Sequence, residues 1–539
     1  MKKKIISEEY IFCVLFIFVQ LVGTILKINT QVDNTIHMTK INIFITFLMS
    51  IIVAYPISML LKKMLLIFAG KKKTFGTVKK KSLLNIKKEQ WVYIWVGVFL
   101  LWLPYFLSFY PGIFAYDIEN QWGQYFGEFG YSTYHPVIHT LLMGRLIEIG
   151  AKIFGDYNKG VALYCLIQLF ILSGAVSYVL YYMRQLIRSK TIYFIAVLYF
   201  VLFPVWPFLG ISTTKDTYFS IFFLLSFVFL LDSCFSNVSK RNVILIILNL
   251  TLALLFRNNA IYGLVLVIIF LCIFILCNKA LRKKSLCFIG IFLVSVIMAK
   301  GIDSGLIKLT NASEGSMAEM LSIPCQQIAR VYSEDQEELT LEERNEIYQY
   351  IPEDNIVNYK YQLSDPIKGY LNTELIKKDW KRFLDLWGEL GLKYPREYLE
   401  ATLCNTLPLW YVWDESIVSI HGVYLESTVK DVTDGKVVRN SKLPEVQNIF
   451  TDLFSKGYIL EFPIIKLLFV PALYLWIIIA ISFLIIKYRK YEYLLLPIFL
   501  LAYTVTLLAG PCILPRYCMN FMLCVPVLLA CVGKIMREK

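Results

Sequence analysis

Two carboxylates, Asp117 and Glu119, stand two residues apart in the segment YPGIFAYDIENQW (110–122), with Tyr116, Trp122, Tyr125 and Tyr131 around them. In a partly desolvated cleft, such a pair can serve as a general base and its orienting or metal-binding partner, with Mg²⁺ or Mn²⁺ as the matching ion. Tyr116 and Gln121 flank the acids as candidate substrate contacts. The same composition also describes an interfacial loop whose aromatics belong to the membrane belt. His135-Pro136 follows, with the proline suited to a first helical turn, and His139 comes four residues later. Histidines at that spacing can bind a metal, but no matching Glu motif accompanies them, so hydrogen bonding or phosphate contact is the preferred reading. Arg145 and Glu148 read as a helix-surface ion pair.

Cations recur in three distant places: Lys215-Asp216 in ISTTKDTYFS, Arg257-Asn258-Asn259 between two apolar runs, and Arg516-Tyr517 after GPCILP. Brought to one depth, Lys215, Arg257 and Arg516, joined by His135, can anchor a phosphate, arginine by its fork and lysine as a point charge. Each alone is explained as well by snorkelling at a helix end. Asp216, Asn258 and Tyr517 adjoin them as candidate substrate contacts. Gln326, Gln327 and Arg330, in EMLSIPCQQIARVY (319–332), can hydrogen-bond sugar hydroxyls, although a plain amphipathic helix accounts for them equally.

The elements that position these residues are written in the hydropathy. The 539 residues have a mean hydropathy of +0.59 and are 57% hydrophobic against 17% charged, more apolar side chain than a water-soluble domain hides. Continuous apolar runs, rather than alternating ones, exclude a β-barrel. Twelve spans are expected at about 10–27, 41–61, 91–110, 158–183, 191–209, 217–232, 242–256, 259–278, 286–302, 464–486, 491–510 and 517–533. The net charge of +14 falls in clusters between alternate spans, which places those clusters and both termini in the cytoplasm and removes nucleic acid as a partner. The first span lacks a small-residue cleavage site and reads as uncleaved.

Four regions follow: residues 1–90, two spans and a basic linker; 91–302, a transmembrane core with a first outer loop at 110–157; 303–463, an extracytoplasmic α or α+β domain; and 464–539, three closing spans. Within the outer loop, 135–154 has the periodicity of a surface helix. Within the domain, 338–349, 371–389 and 396–404 read as helices. No CxxC pair occurs among the twelve cysteines, and Cys325 and Cys404 are the two that can pair across the domain. Asn311-Ala312-Ser313 is a chance sequon.

These marks, in order, resemble the multispanning GT-C glycosyltransferases, the superfamily of protein O-mannosyltransferases and lipid A aminoarabinose transferases. The resemblance rests on YDIEN with Asp117 and Glu119, on His135-Pro136 before a surface helix, and on Arg516-Tyr517 with Pro526 in the last span. With YPG, KDT and IPxQQ added, the sequence looks closest to an uncharacterised Gram-positive membrane family of that superfamily. The shared marks cover about a quarter of the chain. Two additional N-terminal spans, Asp-x-Glu in place of Asp-Glu or Asp-x-Asp, and a single proline after His135 depart from the better-known members.

The resemblance implies an all-α GT-C-like polytopic fold and a polyprenyl-phosphate sugar donor. It also implies an extracytoplasmic glycan, lipid or protein acceptor, and Asp117 as general base in an inverting transfer. The rival expectations are a flippase or transporter of an anionic amphiphile, and a non-catalytic membrane scaffold.

Overall fold

A computed structural model describes residues 8–29, 40–70, 88–115, 117–187, 189–414, 433 and 435–535. The chain is an all-α multi-pass membrane protein. Helices α1 (Glu8–Asn29), α2 (Lys40–Gly70) and α3 (Lys88–Ser108) lead to a short α4 (Asp117–Phe126) and to α5 (Val137–Phe154). Then come α6 (Tyr157–Leu186), α7 (Lys190–Leu202), α8 (Val205–Gly210), α9 (Lys215–Phe235), α10 (Lys240–Phe256), α11 (Ala260–Cys277) and α12 (Arg282–Thr310). Among the described residues eight helices are long and apolar enough to cross a membrane: α1, Ile41–Met59 of α2, Gln90–Ser108 of α3, α6, α9, α11, Lys279–Thr310 and α25 (Pro515–Ile535).

Proline decides where two expected spans break. The run 191–209 divides into α7 and α8, because a proline disfavours helical geometry in the residue before it and Phe203, before Pro204, turns extended (ψ 115°). The run 464–486 likewise divides into α22 (Pro463–Leu467) and α23 (Pro471–Lys487), with Val470 extended before Pro471. By contrast α12 runs on for 29 residues, about 44 Å, well beyond the expected 286–302. It carries the chain out of the apolar bundle into a polar region.

That region is helical. It contains α13 (Ser322–Asp335), α14 (Leu341–Tyr350), α15 (Glu353–Ile356), α16 (Asp365–Lys368), α17 (Thr373–Lys378), α18 (Trp380–Lys393), α19 (Pro395–Asn405), α20 (Leu407–Trp410) and α21 (Pro444–Phe450). Its own apolar core gathers Cys325, Ile328, Tyr350, Phe383 and Leu390. Of the strands an α+β domain would need, the described residues show only isolated bridges. Cys325 and Cys404 are both buried free thiols rather than a disulfide. After α23 and α24 (Leu495–Leu507), α25 closes the bundle, almost wholly buried.

Close helix contacts in the bundle depend on glycine. A Cβ on Gly160 of α6 would lie 2.2 Å from the Ile147 carbonyl oxygen of α5, so the pair approaches backbone to backbone. This clamps α5, which carries His139, onto α6.

Candidate functional site

A short parallel pairing between two loops brings the first two charges together. Ile113 N–H donates to Ile211 O (2.9 Å), Thr213 N–H to Ile113 O (2.9 Å), and Ala115 N–H to the Thr213 hydroxyl (3.1 Å). Gly112, at φ +157°, passes so close to Cys165 and the Ile211 carbonyl that no side chain fits. Each paired segment then runs into a helix, so the first turns of α4 and α9 start side by side with Asp117 and Lys215 in reach. Thr214 caps α9, its hydroxyl accepting from Asp216 N–H (3.3 Å). Asp117 and Asp216 therefore both occupy helix first turns, where the backbone dipole favours a carboxylate.

Lys215 Nζ donates to Asp117 Oδ2 and lies 3.0 Å from His135 Nδ1. Arg257, directly after α10, pairs with Asp216 Oδ1. Arg516, in the first turn of α25, lies between the two acids, with Nη2 3.6 Å from Asp117 Oδ1 and Nε 3.8 Å from Asp216 Oδ2. Its Nη2 donates to the Tyr517 hydroxyl (2.9 Å), while Nε and Nη1 are buried without a hydrogen-bond partner. The Arg257 guanidinium lies over the rings of Tyr517 (4.6 Å), Phe219 (5.8 Å) and Tyr503 (5.9 Å). Asp117, His135, Asp216, Arg257 and Arg516 are all buried.

Burial alone would raise the Asp117 carboxyl, but the Lys215 and Arg516 cations outweigh it and hold the group well below the usual carboxylate range. Burial, reinforced by Lys215, pushes His135 down to about 3, so the imidazole is neutral at pH 7 and its Nδ1 accepts from lysine. Three cations against two carboxylates then leave the cluster with one positive charge, and two of its N–H groups stand ready for an acceptor.

Below this layer a hydrogen-bonded chain fixes the floor. Gln121 reaches Thr140 (3.0 Å) and His139 Nδ1 (3.0 Å), and His139 Nε2 meets the Tyr164 hydroxyl (2.8 Å). Tyr164 donates to Gln168, whose amide donates to the Leu209, Gly210 and Ser212 carbonyls (3.1, 3.0 and 2.6 Å). His135 precedes α5 and His139 lies inside it, turned to different partners, so the two do not form a metal pair. Next to Arg257, a small apolar void of about 20 Å³ lies between α9, α10, α11 and α24, lined by Phe219, Phe223, Leu254, Leu264, Phe499 and Tyr503.

Of the residues expected from sequence, Asp117, His135, Lys215, Asp216, Arg257, Arg516 and Tyr517 converge, with Gln121 beneath them. Tyr116 lies outside the described residues. Glu119 does not join. In a helix two residues are about 200° apart, so burying Asp117 leaves Glu119 exposed on the other side. Asp117 is engaged by cations, and among the described residues no three His, Cys, Asp or Glu converge. Asn258 is exposed, and Asn259 instead accepts from Arg257 Nε (3.0 Å).

Gln326, Gln327 and Arg330 lie in the polar domain, on α13. Gln326 reaches Lys360 O and Asn405, Gln327 bonds Tyr398 O, Thr402 and Trp387, and Arg330 pairs with Glu400. The Arg145–Glu148 pair forms at 2.8 Å. Sequence reasoning passed over Thr214, Asn259, Gln168 and Tyr503. Thr214 had a signal in the capping pattern ahead of Lys215-Asp216, and Asn259 stands two residues from its partner Arg257, whereas Gln168 and Tyr503 act through partners far away in the chain.

A sequence model of the family of unknown function DUF6020 matches residues 130–539. The matched stretch takes in every converging residue except Asp117 and Gln121. No curated protein and no solved structure matches the chain.

Proposed function

The chain belongs to the family of unknown function DUF6020, and we propose that it is a GT-C-like membrane glycosyltransferase. It transfers a sugar from a polyprenyl-phosphate donor to a glycan, lipid or protein acceptor on the outer face of the cell membrane. The observation that carries the reading is the buried cluster of Lys215, Arg257 and Arg516, one charge in excess of its carboxylates, with Nε and Nη1 of Arg516 left without an acceptor. One surplus positive charge matches the single negative charge of a phosphodiester. Four shorter helical units, α7–α8, α10, α23 and α24, would complete twelve spans and put both termini in the cytoplasm.

In the resting site Asp117 is a poor base, because two cations stabilise its charge. An arriving phosphate takes over the Lys215 and Arg516 donors, and the proton affinity of Asp117 rises as their charge is shared. The acceptor hydroxyl then attacks the anomeric carbon with inversion. The bond from that carbon to the phosphate oxygen breaks, Asp117 takes the hydroxyl proton, and the polyprenyl phosphate leaves with its charge on Arg257 and Arg516.

Asp117→Asn tests the scheme. Cells carrying it should lack the surface glycan present with the native chain, while the purified variant still binds a polyprenyl phosphate. An unchanged glycan at normal expression removes the enzyme reading. In that event a lipid carrier using the same cations is the better account.

A further inference from the structure

Arg516 is the least anchored charge in the cluster. It approaches both carboxylates at 3.6 and 3.8 Å, longer than a hydrogen bond, and among the described residues its only side-chain hydrogen bond is to Tyr517, its own neighbour in α25. Its position is therefore set by the backbone entering α25. That backbone is the loop 510–514, preceded by α24 and closed by Pro515, one residue before Arg516. Pro511 and Pro515 donate no hydrogen bond.

Two carbonyls of this loop are held from the polar domain. The Asn405 side-chain amide donates to Gly510 O (3.0 Å), and Ser364 N–H donates to Pro511 O (2.9 Å). Asn405 and Ser364 are fully buried. At its other end Asn405 accepts from Gln326 of α13 (3.3 Å), so the amide connects the interior of the polar domain to the loop. The same domain reaches the His135 side of the cluster. Thr133 N–H donates to Ser313 O (2.9 Å), and Gly315 N–H donates to the Thr133 hydroxyl (2.8 Å).

We propose that Asn405 is a positioning residue for anion binding: through Gly510 it sets the place of Arg516, which makes the polar domain part of the phosphate site rather than a cover over it. The proposal rests on the anion-binding reading above. It gives the domain a means of acting on the donor, since whatever shifts α13 or α19 shifts the Asn405 amide and with it the loop that leads into Arg516.

The experiment compares two probes on the purified full-length chain in detergent: farnesyl phosphate, which has a phosphate and a short isoprenoid, and farnesol, which lacks the phosphate. Asn405→Leu keeps the side-chain size and removes both hydrogen bonds. It should weaken farnesyl phosphate about tenfold, the value of one lost hydrogen bond to a well-placed group, and leave farnesol unchanged. Ile376→Ala, which truncates a fully buried side chain of α17 in the same domain, away from α13 and α19, serves as the control for lost stability and should leave both affinities as in the native chain.

Equal affinity of Asn405→Leu and native chain for farnesyl phosphate overturns the proposal. So does a parallel loss for both probes, or the same loss in Ile376→Ala, each of which reduces Asn405 to packing. If the native chain itself shows no preference for farnesyl phosphate over farnesol, the anion site fails, and the proposal fails with it.

Discussion

A carboxylate two residues from another on a helix cannot share its work, and this separates the roles of Asp117 and Glu119. Glu119→Gln should retain close to native transfer, whereas Arg516→Met should lose most affinity for a phosphate-bearing lipid, both read by product formation and by titration with farnesyl phosphate. His135 gives a pH test. Its folded pKa of about 3 lies below the 6.5 of a free imidazole, so between those values the unfolded chain takes up a proton that the folded chain refuses. Stability is therefore complete above pH 6.5 and declines as pH falls toward 3, by about 1 kcal/mol per unit. Thermal unfolding at pH 7 and pH 5 should show the native chain losing more than His135→Gln. Equal losses would mean His135 is not held neutral. The histidine, both aspartates and all three cations were recognisable from sequence by type, because ionisable groups near apolar runs are costly and need a reason. Their pairing was not, since Asp117 and Lys215 are 98 residues apart.

The floor of the site depends on how α5 and α6 meet. Gly160→Ala would press a methyl group against the Ile147 backbone, and a carbonyl cannot rotate aside as a flexible side chain does. The helices must separate, at a cost of about 1–3 kcal/mol. A lowered unfolding midpoint in detergent would register this, and an unchanged midpoint would show that the pair has room to spare. Element boundaries were legible where a proline stands in polar sequence, as at Pro395. They were missed at Phe203 and Val470, where a continuous apolar run conceals the break that the following proline makes.

At the scale of the whole molecule, the polar domain and the ends of α9, α10 and α25 share one side of the bundle, which we propose faces outward. Cysteine introduced at Leu392, 87% exposed in that domain, should react with a membrane-impermeant maleimide applied to intact cells, and cysteine at Asn237, between α9 and α10, should not. The reverse pattern would invert the topology and move the cluster to the cytoplasmic face. Composition and run length by themselves determined that the chain is a helical multi-pass membrane protein with a separate polar domain, because the bilayer admits few other solutions for so much apolar sequence. They also marked which charges are out of place. Only the tertiary structure decided that Asp117 is an ion-pair partner before it is anything else, that Glu119 turns away, and that Gln326 reaches Asn405. Each of those outcomes depends on which residue from a distant part of the chain arrives next to a given side chain, and local spacing carries no record of that.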